Sequence, residues 1–234
     1  MKIGVLTSSR ADFGIYIPLL KQLQSDSIFK LEIIAFGTHL SKKHGFTITE
    51  IQDNNFSPIH EIETLLDSDT PKEMAVSIGK TCAKFADFWA KNKFDLVITL
   101  GDRYEMFAAV TAASPFNIKI AHIHAGETTL GAIDNAYRHA ISLFSEYLFV
   151  STEEYKKRAI EVVKQSAKVY NVGALSIDNL KNILVGMSLG VIIGVGYIAW
   201  TQATKTQSFM ALCTNGEGIV TFGDDGAYCW KSLC

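Results

Sequence analysis

Six short apolar runs rich in β-branched residues divide the first part of this chain, and every gap between them is long enough to hold a helix. The runs are Lys2 to Thr7, Leu31 to Phe36, Asp95 to Leu100, Ile118 to Ile123, Tyr147 to Val150 and Lys168 to Val172. Strands that alternate with helical patterns form βαβ units around a parallel sheet. The fold class expected is therefore α/β, a Rossmann-like parallel sheet with helices on both faces. The clearest helix start is Thr70-Pro71-Lys72-Glu73, where a hydroxyl cap, a proline and a glutamate three residues after the cap fall in order. That helix should run to about Asn92 and turn Met74, Ile78, Phe85 and Trp89 inward. The stretch from Asp53 to Asp69 is polar and less regular, and reads as a connection near a cleft mouth.

In open parallel sheets ligands bind at the carboxyl ends of the strands, and this sequence concentrates ionisable residues there. The third run ends in Gly101-Asp102-Arg103, and the fourth ends in His122-Ile123-His124-Ala125-Gly126-Glu127. Asp134 opens the next helix, with Arg138 one turn on at the four-residue spacing that puts two side chains on one face, and His139 beside it. Arg138 could pair with Asp134 or take a ligand anion. Carboxylates that face each other across a substrate can divide proton donation from proton abstraction. An aspartate between strand and helix can also be a plain N-cap, and His122 reads as a core histidine. The first run enters Ser8-Ser9-Arg10-Ala11-Asp12-Phe13-Gly14, a strand-to-helix turn suited to an anion, with Arg10 as a phosphate donor. Ser9 and Asp12 could equally be helix caps. His39, after the second run, could reach the same cleft.

The formal charge of -2 gives no reason to expect a polyanion, so nucleic acid is not an expected partner. The opening residues lack the pattern of a secretory signal, and the first part is expected in the cytoplasm. Cys82 reads as a small core residue. Residues 183–200 contain no charge and carry Gly186, Gly190 and Gly194 at a four-residue period. This is either a transmembrane helix, with the large domain on the cytoplasmic side, or a buried helix or pair of strands. Residues 201–234 contain Cys213, Cys229 and Cys234 and read as a small β-hairpin tail around Asp224-Asp225-Gly226. The domain plan is thus 1–180, 183–200 and 201–234.

Four motifs resemble those of the hydrolysing UDP-N-acetylglucosamine 2-epimerases of sialic-acid and legionaminic-acid pathways. They are Thr7 to Gly14, Gly101-Asp102-Arg103-Tyr104-Glu105, His122 to Glu127, and Gly131-Ala132-Ile133-Asp134-Asn135-Ala136-Tyr137-Arg138-His139-Ala140. The likeness covers residues 1 to 180 and implies the N-terminal half of a GT-B fold. It also implies a reaction: elimination of UDP to a 2-acetamidoglycal, then addition of water to leave an inverted free sugar. By position, Asp102 and Asp134 match catalytic acids. His124 stands where several relatives carry glutamate, so either His124 or Glu127 takes that role. Arg10, His39, Arg103, His122, Arg138 and His139 are the expected substrate-binding or supporting residues. A UDP-sugar is the implied partner, and no metal or redox cofactor is implied. Relatives continue for another domain, so this chain alone is expected to bind weakly and could lack turnover. Two other readings are a membrane-tethered binding module without turnover and a GT-B glycosyltransferase fragment. Whether two copies form a homodimer is left open.

Overall fold

The computed structural model describes residues 1–65, 70–129, 133–178, 219–223 and 226–230. By its contacts the chain divides into two units, Met1–Asn171 and Val172–Cys234. The first unit carries a sheet of seven parallel strands in the order β3-β2-β1-β4-β5-β6-β7. These are β1 (Lys2–Thr7), β2 (Lys30–Phe36), β3 (Ile59–Ile62), β4 (Leu96–Leu100), β5 (Ile120–Ile123), β6 (Tyr147–Val150) and β7 (Lys168–Asn171). The helices between them are α1 (Arg10–Ser25), α2 (Ile48–Asp53), α3 (Pro71–Lys91), α4 (Tyr104–Ala113), α5 (Asp134–Phe144) and α6 (Glu153–Val163).

From β1 the chain steps one way to β2 and β3, and from β3 it crosses back to β4 and continues the other way to β7. Right-handed crossovers then assign α1 and α2 to one face and α3 to α6 to the other. The packing agrees. Leu6, Ile34, Phe36 and Val97 meet Phe85 and Trp89 of α3, Met106 and Ala109 of α4, and Ile141 of α5 in one buried cluster. Trp89 satisfies its ring N–H on the Ala109 carbonyl at 3.2 Å. On α1, Phe13 meets Phe56 and His39 edge to face. Alternate residues of β1, β2 and β4 are buried on both faces, which is why these strands read as unbroken apolar runs.

Two features of the first unit differ from the sequence reading. The stretch treated as a connection, Asp53 to Asp69, follows directly on α2 and contains the edge strand β3, which pairs with β2 from Ile33↔Ile59 to Phe36↔Ile62. On α3, Phe85 and Trp89 are fully buried as expected, but Ser77 and Thr81 share that burial while Met74 and Ile78 lie half-buried. Away from the carboxyl ends, Glu32 joins three strands. Its carboxylate lies 2.9 Å from Lys2 Nζ on β1 and 2.9 Å from His60 Nε2 on β3. Burial pulls the Glu32 carboxyl up, but His60 and Lys2 outweigh it and hold the group below its usual range.

Within the second unit, β8 (Ile219–Gly223) and β9 (Gly226–Trp230) pair antiparallel from Ile219↔Trp230 to Gly223↔Gly226. The apolar stretch 183–200 lies outside the described residues, as do Cys213 and Cys234. No helix among the described residues is long and apolar enough to cross a membrane. Cys82 is half-buried, with its thiol 3.5 Å from the Ala108 carbonyl, and burial pushes that thiol up.

Candidate active site

The strand order reverses beside β1, so the connections leaving β1 and β4 diverge to opposite faces and open a crevice at their carboxyl ends. Gly101 bends the chain out of β4 with a φ of +78°, and Asp102 follows. The N-cap of α4 is Arg103, with no side-chain cap bond. Asp102 is therefore not the helix cap, and its carboxylate is used elsewhere.

It is used by Arg138. The Arg138 guanidinium comes from α5, 6% exposed at its side chain, and Nη2 donates to Asp102 Oδ2. Nη1 donates to the His124 carbonyl at 2.8 Å and lies 3.5 Å from Glu127 Oε2. One buried cation thus binds the loops after β4 and β5 together. The intrahelical pair with Asp134 suggested by spacing is replaced by this tertiary one. Asp134 opens α5 one turn before Arg138 and is half-exposed.

Glu127 is held at both oxygens: Ser151 Oγ donates to Oε1 at 3.0 Å, and Oε2 faces Arg138 and His124 Nδ1, the latter at 3.7 Å. His124 has a left-handed backbone, φ +65°, a rare conformation for a residue with a Cβ that is worth noting where it falls. Its Nε2 is buried and has no partner among the described residues. Burial holds His124 below its ordinary range; Arg138 adds to that, and Glu127, Asp102 and Asp12 oppose it. One ring nitrogen thus faces a carboxylate, and the other is buried without a partner among the described residues.

His122 supports this centre from beneath. Fully buried, it lies with Nε2 2.8 Å from the Gly101 carbonyl and Nδ1 3.0 Å from Ser142 Oγ. A carbonyl only accepts, so Nε2 carries the proton and Nδ1 accepts from Ser142. Burial drives its pKa to about 3. An unfolded chain takes up a proton near the ordinary value of 6.5, so His122 favours folding fully above that pH, and the contribution fades as acid approaches its folded value. Between about pH 6 and 4 this one group should cost about 1 kcal/mol of stability per pH unit. A His122→Asn variant, measured by urea unfolding across that range, should show a shallower slope. An unchanged slope would mean the ring is solvated.

The other expected residues divide. Arg103 donates to the fully buried Glu105 at 2.7 Å, and its Nε has no partner among the described residues. Arg10 is exposed and paired with Glu50 at 2.9 Å, within reach of a solvent-borne anion. His39 is fully buried, with Nε2 2.9 Å from Thr7 Oγ1 and Nδ1 2.8 Å from Thr47 Oγ1. Both of its nitrogens are occupied, so it braces the crevice floor instead of facing a ligand. His139 is half-buried, with Nδ1 unpartnered among the described residues. Burial lowers its proton affinity, and the charges of Arg138 and Arg158 lower it further.

Sequence reasoning read Asp12 only as a possible helix cap. It is 6% exposed, accepts from Ser8 N at 3.1 Å and Ser8 Oγ at 2.8 Å, and lies close enough to act on His124, Arg103 and His39. Ser9 caps α1 from the same turn, accepting from Asp12 N at 3.3 Å. A serine three residues before an aspartate was legible as a cap, whereas the action of the Asp12 charge on His124, Arg103 and His39 was not.

With this geometry in view, the sequence profile described as UDP-N-acetylglucosamine 2-epimerase matches residues 21–194. The chain belongs to that family. Among curated epimerase-family relatives it is 37% identical over 178 residues to the polysialic acid biosynthesis protein P7 of Escherichia coli, covering 76% of this chain and 46% of that protein. It is 36% identical over 181 residues to the GDP/UDP-N,N'-diacetylbacillosamine 2-epimerase (hydrolyzing) of Campylobacter jejuni, covering 77% and 47%. The chain spans about half the length of the curated relatives it matches. In fold it is similar to the UDP-GlcNAc 2-epimerase of Neisseria meningitidis, whose crystal structure holds UDP-GlcNAc, with a TM-score of 0.70 over 93% of this chain and 55% of that one, at 18% identity. The seven-stranded sheet is therefore a Rossmann-like sheet of the kind found in that GT-B fold.

Proposed function

We propose that this domain carries proton-transfer residues of a hydrolysing UDP-sugar 2-epimerase, acting on a UDP-linked 2-acetamido sugar. The observation that supports it best is the Arg138 bridge, which holds the carboxylates of Asp102 and Glu127 and the carbonyl of His124 around one cation. In the proposed reaction the C2 proton passes to a side chain, the C1–O bond to UDP breaks, and a glycal forms. Water then adds at C1, and a proton returns to C2 from the opposite face. UDP and a free sugar leave.

Two proton carriers on different faces of the sugar suit that inversion. Asp102 supplies one. His124 supplies the other through Nε2, with Glu127 behind Nδ1 to orient the ring and to steady any charge it gains. Asp134 is kept as a further acid at the head of α5. In this reading Arg10 and Arg103 meet the diphosphate, His139 lines the crevice, and His39 and His122 hold its floor. On the same family footing the reaction is assigned to the cytoplasm.

The purified chain, incubated with UDP-N-acetylglucosamine and with UDP-N,N'-diacetylbacillosamine in deuterated water, should release UDP and a free sugar labelled at C2. UDP released without label would point to simple hydrolysis. Binding with neither product would favour a module that keeps the fold without turnover.

A further inference from the structure

We propose that Arg158 is a positioning residue for this site: from α6 it fixes the loop around Glu127 and so sets the distance of that carboxylate from His124 and Arg138. Glu127 lies beyond the end of β5, where no ladder or helix holds it. Its neighbour Gly126 has a φ of +73°, and a Cβ there would stand 2.2 Å from the Tyr155 carbonyl oxygen, so the loop backbone rests directly on α6. Arg158 Nη1 donates to the Gly126 carbonyl at 3.0 Å and to Thr128 Oγ1 at 3.2 Å, one on each side of Glu127. Its Nη2 is itself held by Glu154 Oε1 at 3.0 Å, one turn back along α6. The guanidinium carbon sits 5.5 Å from the Tyr155 ring centroid.

Arg158 is hydrogen-bonded to the residues flanking Glu127, and Ser151 takes the outer carboxylate oxygen. Together they leave Oε2 for His124 and Arg138. A planar fork can bridge a carbonyl and a hydroxyl while a second nitrogen is tied to glutamate, and a lysine ammonium cannot reproduce that geometry. The side chain is 30% exposed and contributes little to the core, so its replacement should leave the sheet folded.

The test is an imidazole NMR titration of His124 in the full chain, comparing the unaltered protein with Arg158→Lys and Arg158→Met. The charges acting on His124 are Glu127 from its own loop, Arg138 from α5, Asp102 after β4 and Asp12 from α1. If the fork positions Glu127, both variants let that carboxylate drift, and the His124 titration moves down by roughly half a pH unit. Loss of a nearby positive charge alone would move it up, in Arg158→Met only. An upward shift, or an Arg158→Lys variant identical to the unaltered protein, would overturn the proposal. His39, held between Thr7 and Thr47, should titrate identically in all three and reports that the fold is intact. The kinetic arm rests on the function proposed above: with turnover present, kcat should fall roughly tenfold while KM changes by less than about twofold. A chain with no turnover at all would remove that function, and the His124 titration would still decide Arg158.

Discussion

Gly126→Ala should lower the unfolding free energy by about 3 kcal/mol or more, the largest effect expected from a single methyl group in this domain. Two costs combine at this position. The left-handed backbone, φ +73°, costs a residue with a Cβ about 1–2 kcal/mol by itself. The new atom would also lie 2.2 Å from the Tyr155 carbonyl oxygen and 3.2 Å from the Ala159 Cβ. The first of those is helix backbone, and no rotamer change can move it aside. Either α6 shifts outward or the loop leaves its place. Gly101 supplies the control, since its φ is +78° but nothing stands within 4 Å of its added Cβ. Gly101→Ala should therefore cost only the backbone share, about 1–2 kcal/mol. Urea midpoints of the two variants compare them directly, and equal midpoints would show that the loop does not rest on α6.

Asp102→Asn should reduce UDP release and C2 labelling by roughly a thousandfold, the loss expected when a positioned proton-transfer group is removed. The amide matches the carboxylate in shape but cannot take the proton. The domain should stay folded, because Arg138 keeps the His124 carbonyl and Glu127 as partners. It should still be weakened by about 1–3 kcal/mol, since a mostly buried guanidinium loses its best counter-charge. Thermal melting beside the turnover assay separates the two effects. Unaltered labelling in this variant would remove Asp102 from the chemistry.

Much of the sheet was legible because β1, β2, β4, β5 and β6 are continuous or nearly continuous apolar runs, which parallel strands buried on both faces require. The start of α3 was legible for a local reason. Thr70 accepts from Glu73 N and donates to the Glu73 carboxylate, a contact confined to four residues. β3 was missed because Ile59-His60-Glu61-Ile62 sets two polar residues side by side between its isoleucines, so it shows neither an unbroken apolar run nor a clean alternation. In the site, the acids could be placed because they follow strands. Their partners could not: Arg138 reaches 36 residues back to Asp102, and Ser151 and Arg158 reach 24 and 32 residues back to the Glu127 loop. Helical periodicity points instead to the nearer Asp134. Pairings of that kind exist only once α5 and α6 have folded back over β4 and β5.

The two border strands of the sheet, Ile59–Ile62 and Lys168–Asn171, are each only four residues long and carry a charged residue, Glu61 in one and Lys168 in the other, with His60 tied to Glu32 and Lys168 set over the Tyr147 ring. A foreign strand seeking to extend the array would find few unpaired amides on either rim. Short margins of this kind give an incoming strand little backbone to pair with, which works against ribbon-like self-association.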